Sequence, residues 1–113
     1  MGKNLRRGKM RKFKDVLYEN LKDPLEAKAY IDVALEEYEK DKDIEAFLMA
    51  LRDVAEAQGG LSKLADRTQL NRQNLYRALS NRGNPKLDTI DAILHGLGFR
   101  LAVQLLSRIA TTH

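Results

Sequence analysis

Leu61-Ser62-Lys63-Leu64-Ala65-Asp66-Arg67-Thr68-Gln69-Leu70-Asn71-Arg72-Gln73-Asn74-Leu75-Tyr76-Arg77-Ala78-Leu79 is the segment that decides how this chain is built. It reads as two helices of about two turns each, joined by a tight link at Gln69-Leu70, with Asn71 capping the second. Two short helices joined so closely must cross closely. A small residue is needed at the crossing, and Ala65 stands there. An apolar residue must plug the corner, and Leu70 follows five positions later. The second helix must then face inward at Leu75, Ala78 and Leu79. This spacing is what a helix-turn-helix requires. The remaining positions of the second helix point outward: Arg72, Gln73, Asn74 and Arg77. Arginine can bond guanine O6 and N7 together, and Gln or Asn can do the same for adenine N6 and N7. These four are the candidate base-reading residues of a double-stranded DNA site. Ser62, Lys63, Asn71, Arg82, Asn84 and Lys86 lie at helix ends or in the following loop. They are the candidate phosphate contacts, which fix register without reading sequence. Residues 67–87 hold no acid, which suits a polyanionic partner.

Outward from this segment the pattern stays helical. Residues 87–97 place Leu87, Ile90, Ile93, Leu94 and Leu97 at helical spacing, closed by Gly98. Residues 81–85 are a loop by their turn chemistry. Upstream, Ile44, Phe47, Leu48, Leu51, Val54 and Ala55 form an apolar stripe that begins after Asp43, a candidate cap, and stops at Gly59-Gly60. Before that, Asp23-Pro24-Leu25-Glu26 is a helix start, and Ala27, Tyr30, Ile31, Ala34 and Tyr38 follow at helical spacing. A short helix is expected over about 13–21. Residues 1–12 lack apolar periodicity and are expected to form a flexible basic arm. Residues 99–105 alternate, with Phe99, Leu101, Val103 and Leu105 on one side. That period of two predicts a short strand; a helix over 99–109 is the alternative. A lone strand cannot satisfy its backbone hydrogen bonds, so a second copy of the chain is the expected partner. The division is therefore an arm over 1–12, acidic helices over 13–58, the helix-turn-helix region over 59–98, and a strand and dimerising tail over 99–113.

Charge supports two kinds of partner. The chain has 113 residues and a net charge of +4. Residues 1–14 hold seven Lys or Arg and no acid. Residues 15–58 hold five basic and thirteen acidic residues, net −8, and residues 59–113 return to net +5. The basic parts suit phosphate, and the acidic middle suits a basic protein. Glu36, Glu37 and Glu39 are the candidate protein-facing acids. The chain has no cysteine, which excludes disulfides and thiolate metal sites and fits a reducing compartment. Without an apolar run at the N-terminus or a run long enough to span a membrane, a cytoplasmic location is expected. His95 near a helix C-terminus reads as structural. No nucleophile motif, metal-ligand spacing or glycine-rich phosphate loop stands out, so the reading is non-enzymatic, without metal or cofactor.

Residues 59–98 resemble the Cro/repressor type of helix-turn-helix with its five short helices. More narrowly, residues 20–105 resemble the HigA-like "probable addiction module antidote" proteins. The likeness is carried by Leu21-Lys22-Asp23-Pro24, Ala29-Tyr30-Ile31-Asp32-Val33-Ala34-Leu35, Phe47-Leu48-Met49-Ala50-Leu51-Arg52-Asp53-Val54-Ala55, Gly59-Gly60-Leu61-Ser62-Lys63-Leu64-Ala65, Leu75-Tyr76-Arg77-Ala78-Leu79-Ser80 and Gly83-Asn84-Pro85. The resemblance implies an all-α fold with extra N-terminal helices. It implies an antitoxin that neutralises a RelE/HigB-like toxin and, as a homodimer, represses its own promoter. A stand-alone repressor of phage type, with no toxin, is the other reading, since its DNA-binding half looks the same. Two departures stand out. The turn position commonly filled by Gly is Gln69, where a left-handed backbone would cost about 1 kcal/mol. The basic arm lies outside the pattern, and both a minor-groove arm and a solubilising tail fit it.

Overall fold

A computed structural model describes the backbone over residues 2–106 and the side chains over residues 12–106. It holds six α-helices: α1 (Gly2–Leu21), α2 (Pro24–Asp41), α3 (Glu45–Ala57), α4 (Leu61–Arg67), α5 (Arg72–Ala78) and α6 (Leu87–Leu97). Helix α3 is the centre. It packs against α1, α2, α4 and α6, and buries Phe47, Leu48, Ala50, Leu51, Val54, Ala55 and Ala57. A stripe this wide gives the helix apolar contacts on several sides at once, so one core runs from Leu21 through to Leu97.

The helix ends follow local chemistry. The Asp23 side chain accepts from the Leu25 N–H at 2.9 Å, and Pro24 occupies the first turn of α2. Asn71 Oδ1 accepts from the Asn74 N–H at 2.7 Å and starts α5. Asp43 accepts from the Glu45 N–H at 3.0 Å, but the capping position of α3 is Ile44, one residue later than the sequence suggests. Helix α2 is capped after Asp41 by Lys42, the one non-glycine residue in the left-handed region among the described residues, with φ 58.

The structure departs from the sequence expectations in several places. Helix α1 begins at Gly2, where an arm over 1–12 and a helix from Phe13 were expected. Lys and Arg are good helix formers, so a segment without an apolar stripe can still extend a helix that a downstream stripe anchors. Residues 59–98 contain three helices rather than five, because α3 covers the core face and residues 79–86 stay irregular. Among the described residues no strand forms. Residues 99–106 have no regular structure, and a single chain offers them no ladder partner. The rest of the expected tail, residues 107–113, lies outside the described residues. Leu87, expected inward, is 69% exposed at the start of α6; it precedes the turn where Ile90 and Ile93 reach the core. Gln69 has no left-handed backbone. The turn is adjusted instead by Thr68, whose hydroxyl donates to Ala65 O and accepts from the Leu70 N–H, both at 3.2 Å.

Polar bonds fasten the helices around α3. Tyr30 of α2 donates to Asp53 Oδ2 at 2.6 Å. Burial, then this bond, and then the Asp53 charge hold the Tyr30 hydroxyl well above its ordinary range. Burial pushes up Tyr18 of α1 as well, with Asp53 and Glu56 adding to it. A raised folded-state value means stability is complete below the ordinary value of 10.0 and is lost as pH rises past it. The melting temperature is therefore expected to fall above about pH 10. Tyr30→Phe is expected to flatten that fall, read from thermal melts of both proteins across the alkaline range.

Candidate nucleic-acid interface

The α4–α5 pair is anchored from below. Leu64, Leu75, Ala78 and Leu79 are buried, and Ala65 and Leu70 are partly buried against the same core. Gly96 of α6 lies so near α4 that an added Cβ would meet Leu64 Cδ1 at 2.7 Å and Thr68 Cγ2 at 2.9 Å. The pair thus rests on α6 and α3 with little freedom to tilt.

Anchoring one side of α5 fixes what the other side presents. At 100° per residue, Leu75, Ala78 and Leu79 occupy the inner arc, Gln73, Tyr76 and Arg77 the outer one, and Arg72 the edge beside Leu79. Arg72, Gln73, Asn74 and Arg77 are all exposed. Asn74 sits at the flank of this arc. Its backbone N–H is taken by the Asn71 cap, and its side chain is left outward. Asn71 is exposed too, but its oxygen is engaged in capping. Ser62, Lys63, Arg82, Asn84 and Lys86 are exposed, at the start of α4 and in the loop before α6. Lys63 runs its stem along Gly59, close enough that a Cβ there would meet its Cδ at 2.6 Å.

The electrostatics are one-sided. Ion pairs among the described residues involve Lys22, Lys28, Lys40, Lys42 and His95 with nearby acids. Lys63, Arg72, Arg77, Arg82 and Lys86 have no such partner among them. Exposed cations and amides that hold no ion pair can meet phosphate and base edges without first breaking one.

Residues the sequence reading missed hold this face in place. Arg52 of α3 donates to Leu79 O, tying the C-terminal end of α5 to the central helix. Gln58 Nε2 donates to Leu97 O at 2.9 Å, and Arg67 donates to Gln58 Oε1 at 3.0 Å. Sequence offered one faint signal for Arg52: it is the sole basic residue inside the α3 run. Its reach of 27 residues along the chain has no local signature.

The acids proposed for a protein partner lie elsewhere. Glu36, Glu37 and Glu39 are exposed near the C-terminal end of α2. Glu37 pairs with Lys40 at 3.6 Å and Glu39 with Lys42 at 3.5 Å, while Lys42 also lies 5.3 Å from the Tyr38 ring centre. These are exposed pairs worth well under about 1 kcal/mol each, so the acids stay free to exchange partners. His95 pairs with Asp91 on its own helix at 3.3 Å. Among the described residues no group of His, Cys, Asp or Glu is arranged to hold a metal. No helix there is long and apolar enough to cross a membrane.

Comparison with known proteins gives two matches. A family model described as "probable addiction module antidote protein" matches residues 10–105. An uncharacterized protein of Haemophilus influenzae (strain ATCC 51907 / DSM 11121 / KW20 / Rd) is 35% identical over 74 residues, which is 66% of this chain and 75% of that protein. No solved structure matches.

Proposed function

Since the chain belongs to the probable addiction module antidote family, an antitoxin role is its starting point, and we propose that it neutralises a RelE/HigB-like toxin while repressing its own promoter. The observation that carries the DNA half is the exposed, unpaired basic and amide set on α5 and its flanks, held over a buried Leu75–Leu79 underside. In this reading α4 and α5 form a helix-turn-helix. Arg72, Gln73, Asn74 and Arg77 read base edges in the major groove of the operator. Ser62, Lys63, Asn71, Arg82, Asn84 and Lys86 bear on phosphates. Two recognition helices are needed to span successive grooves, so the chain acts as a cytoplasmic homodimer. Residues 99–105 are its proposed seam. Leu101, Val103 and Leu105 are 43%, 98% and 81% exposed, and Phe99 is fixed at the start of the segment by its N–H bond to Leu94 O at 2.8 Å. A paired copy would cover these side chains and complete the backbone bonds.

The toxin-facing surface in this proposal is the acidic end of α2, with Glu36, Glu37 and Glu39 steering a basic partner. Co-expression tests both halves. The neighbouring small open reading frame should arrest growth alone, and this chain should relieve the arrest and co-purify with the product. Reversing the charge at Glu36, Glu37 and Glu39 together should then weaken the complex and slow its formation, as read by surface plasmon resonance. Unchanged binding would remove that surface from the proposal. An inert neighbour, or arrest that this chain cannot relieve, would leave a stand-alone repressor.

Arg72→Ala and Gln73→Ala are each expected to weaken operator binding by about 1–3 kcal/mol while leaving the melting temperature in place. Lys63→Ala is expected to weaken binding to every duplex and to make the salt slope shallower by about one. Fluorescence anisotropy against the promoter fragment and a scrambled duplex separates the two behaviours.

A further inference from the structure

An open cleft of about 440 Å³ lies beside the C-terminal end of α5, lined by Arg52, Leu61, Tyr76, Leu79, Asn81 and Arg82 among others. Of its lining, the reading so far brings Arg82 alone to DNA. We propose that this cleft binds a phosphodiester of the duplex backbone, gripping the strand that passes beyond the end of the reading helix. The proposal rests on the DNA-binding reading above and extends it to a site built largely by other residues.

Position makes the first argument. Leu61 opens α4 immediately before Ser62 and Lys63, and Arg82 lies in the loop that continues to Asn84 and Lys86. The cleft therefore sits between the two segments already proposed to touch phosphates. In this proposal the strand held by both passes over it.

Charge makes the second. The lining contains two guanidinium groups and no acid. Arg82 is exposed and has no ion pair among the described residues. Arg52 is half-buried, and its bond to Leu79 O fixes the guanidinium at the C-terminal end of α5 and leaves further donors of the planar fork available. Two acids on its own helix are close enough to act on the same neighbour, Tyr18: Asp53 and Glu56. Asp53 is engaged by Tyr30. Glu56 is exposed. A fork held in a half-buried setting matches phosphate oxygens in paired geometry better than a mobile lysine does.

Shape makes the third. The cleft is open rather than enclosed, and its lining includes the partly exposed Leu61 and the half-exposed Tyr76. That combination accepts a sugar against apolar surface and a phosphate against the guanidiniums, in a strand that enters and leaves. A small enclosed anion would leave the apolar part unused.

The chain has no cysteine, so Asn81→Cys creates a single attachment point for iron–EDTA at the cleft. With a promoter duplex bound, this conjugate is expected to cut the backbone at a localised position, whereas a Glu37→Cys conjugate leaves the duplex uncut. Arg82→Gln is expected to make the salt slope of duplex binding shallower by about one with unchanged melting. Arg52→Gln should lower the melting temperature, because the tie to Leu79 O is lost, and should make the slope shallower by about one when read well below that temperature; Arg52→Lys should restore the slope without restoring full affinity. A retained duplex with no cutting from position 81, or an unchanged slope in Arg52→Gln, overturns the cleft proposal and leaves the DNA reading standing. Failure of the unmodified chain to bind any duplex overturns both. Saturable shifts of the Arg52 side-chain resonances on adding AMP alone, with no cutting of duplex, would assign the cleft to a free nucleotide and overturn the backbone proposal.

Discussion

Leu51→Ala is expected to lower the unfolding free energy by about 2–5 kcal/mol, the range for truncating a fully buried leucine. Leu51 is 0% exposed and lies on α3, the helix that α1, α2, α4 and α6 all pack against. The loss combines the apolar surface no longer buried with a cavity that its neighbours cannot fill, since each is tied to another helix. A domain of this size has about 5–15 kcal/mol in total, so the variant should be partly unfolded near body temperature. Urea titration followed by circular dichroism checks this. The midpoint should fall with little change in slope, and the promoter affinity of whatever remains folded should be unchanged. A loss below about 1 kcal/mol would mean that α3 is not the centre of the core.

Gly83→Ala is expected to separate folding from binding in the opposite sense. The backbone φ at Gly83 is not in the left-handed region, so conformational freedom is not why glycine stands there. Space is. An added Cβ would lie 2.2 Å from Ala78 O and 2.9 Å from its carbonyl carbon. Those are backbone atoms of α5 and cannot turn aside as a side-chain end could. The loop must move away from the helix, at a cost of about 1–3 kcal/mol. The same movement displaces Arg82, Asn84 and Lys86, three of the proposed phosphate contacts, from the α5 face. Promoter binding should therefore fall by more than the stability loss alone explains, with the Arg72 and Gln73 positions intact. Anisotropy titrations well below the melting temperature would show it, and an unchanged affinity would detach this loop from the DNA interface.

Much of the fold was legible because it is written in local chemistry. The α3 stripe, the Asp23-Pro24 start of α2, the Asn71 cap and the glycines at 59, 60 and 98 each act within a turn of chain, so spacing alone locates them. The extent of α1 was not legible, because the search for an apolar stripe is blind to helix formed on propensity. Leu87 misled because a periodic pattern does not say where along a helix the core begins. The outward residues of α5 followed once its inward ones were named. The cleft did not, since Arg52 and Arg82 are brought together only by the fold. The tail over 99–106 alternates in sequence yet forms no ladder, because the single chain brings no second strand to it.

Consider finally that Arg52 and Asp53 are neighbours in sequence yet face opposite halves of the molecule, one fastened to Leu79 and the other to Tyr30. Neither half is then a detachable module. A nick at Gly59-Gly60 would strip the N-terminal part of its covering and leave α4–α6 without the helix they rest on. Shuffling α4–α6 onto a foreign N-terminal half would fail unless the recipient brought its own version of α3. Whatever diversification this chain undergoes must happen on its outer faces, with the shared helix inherited whole.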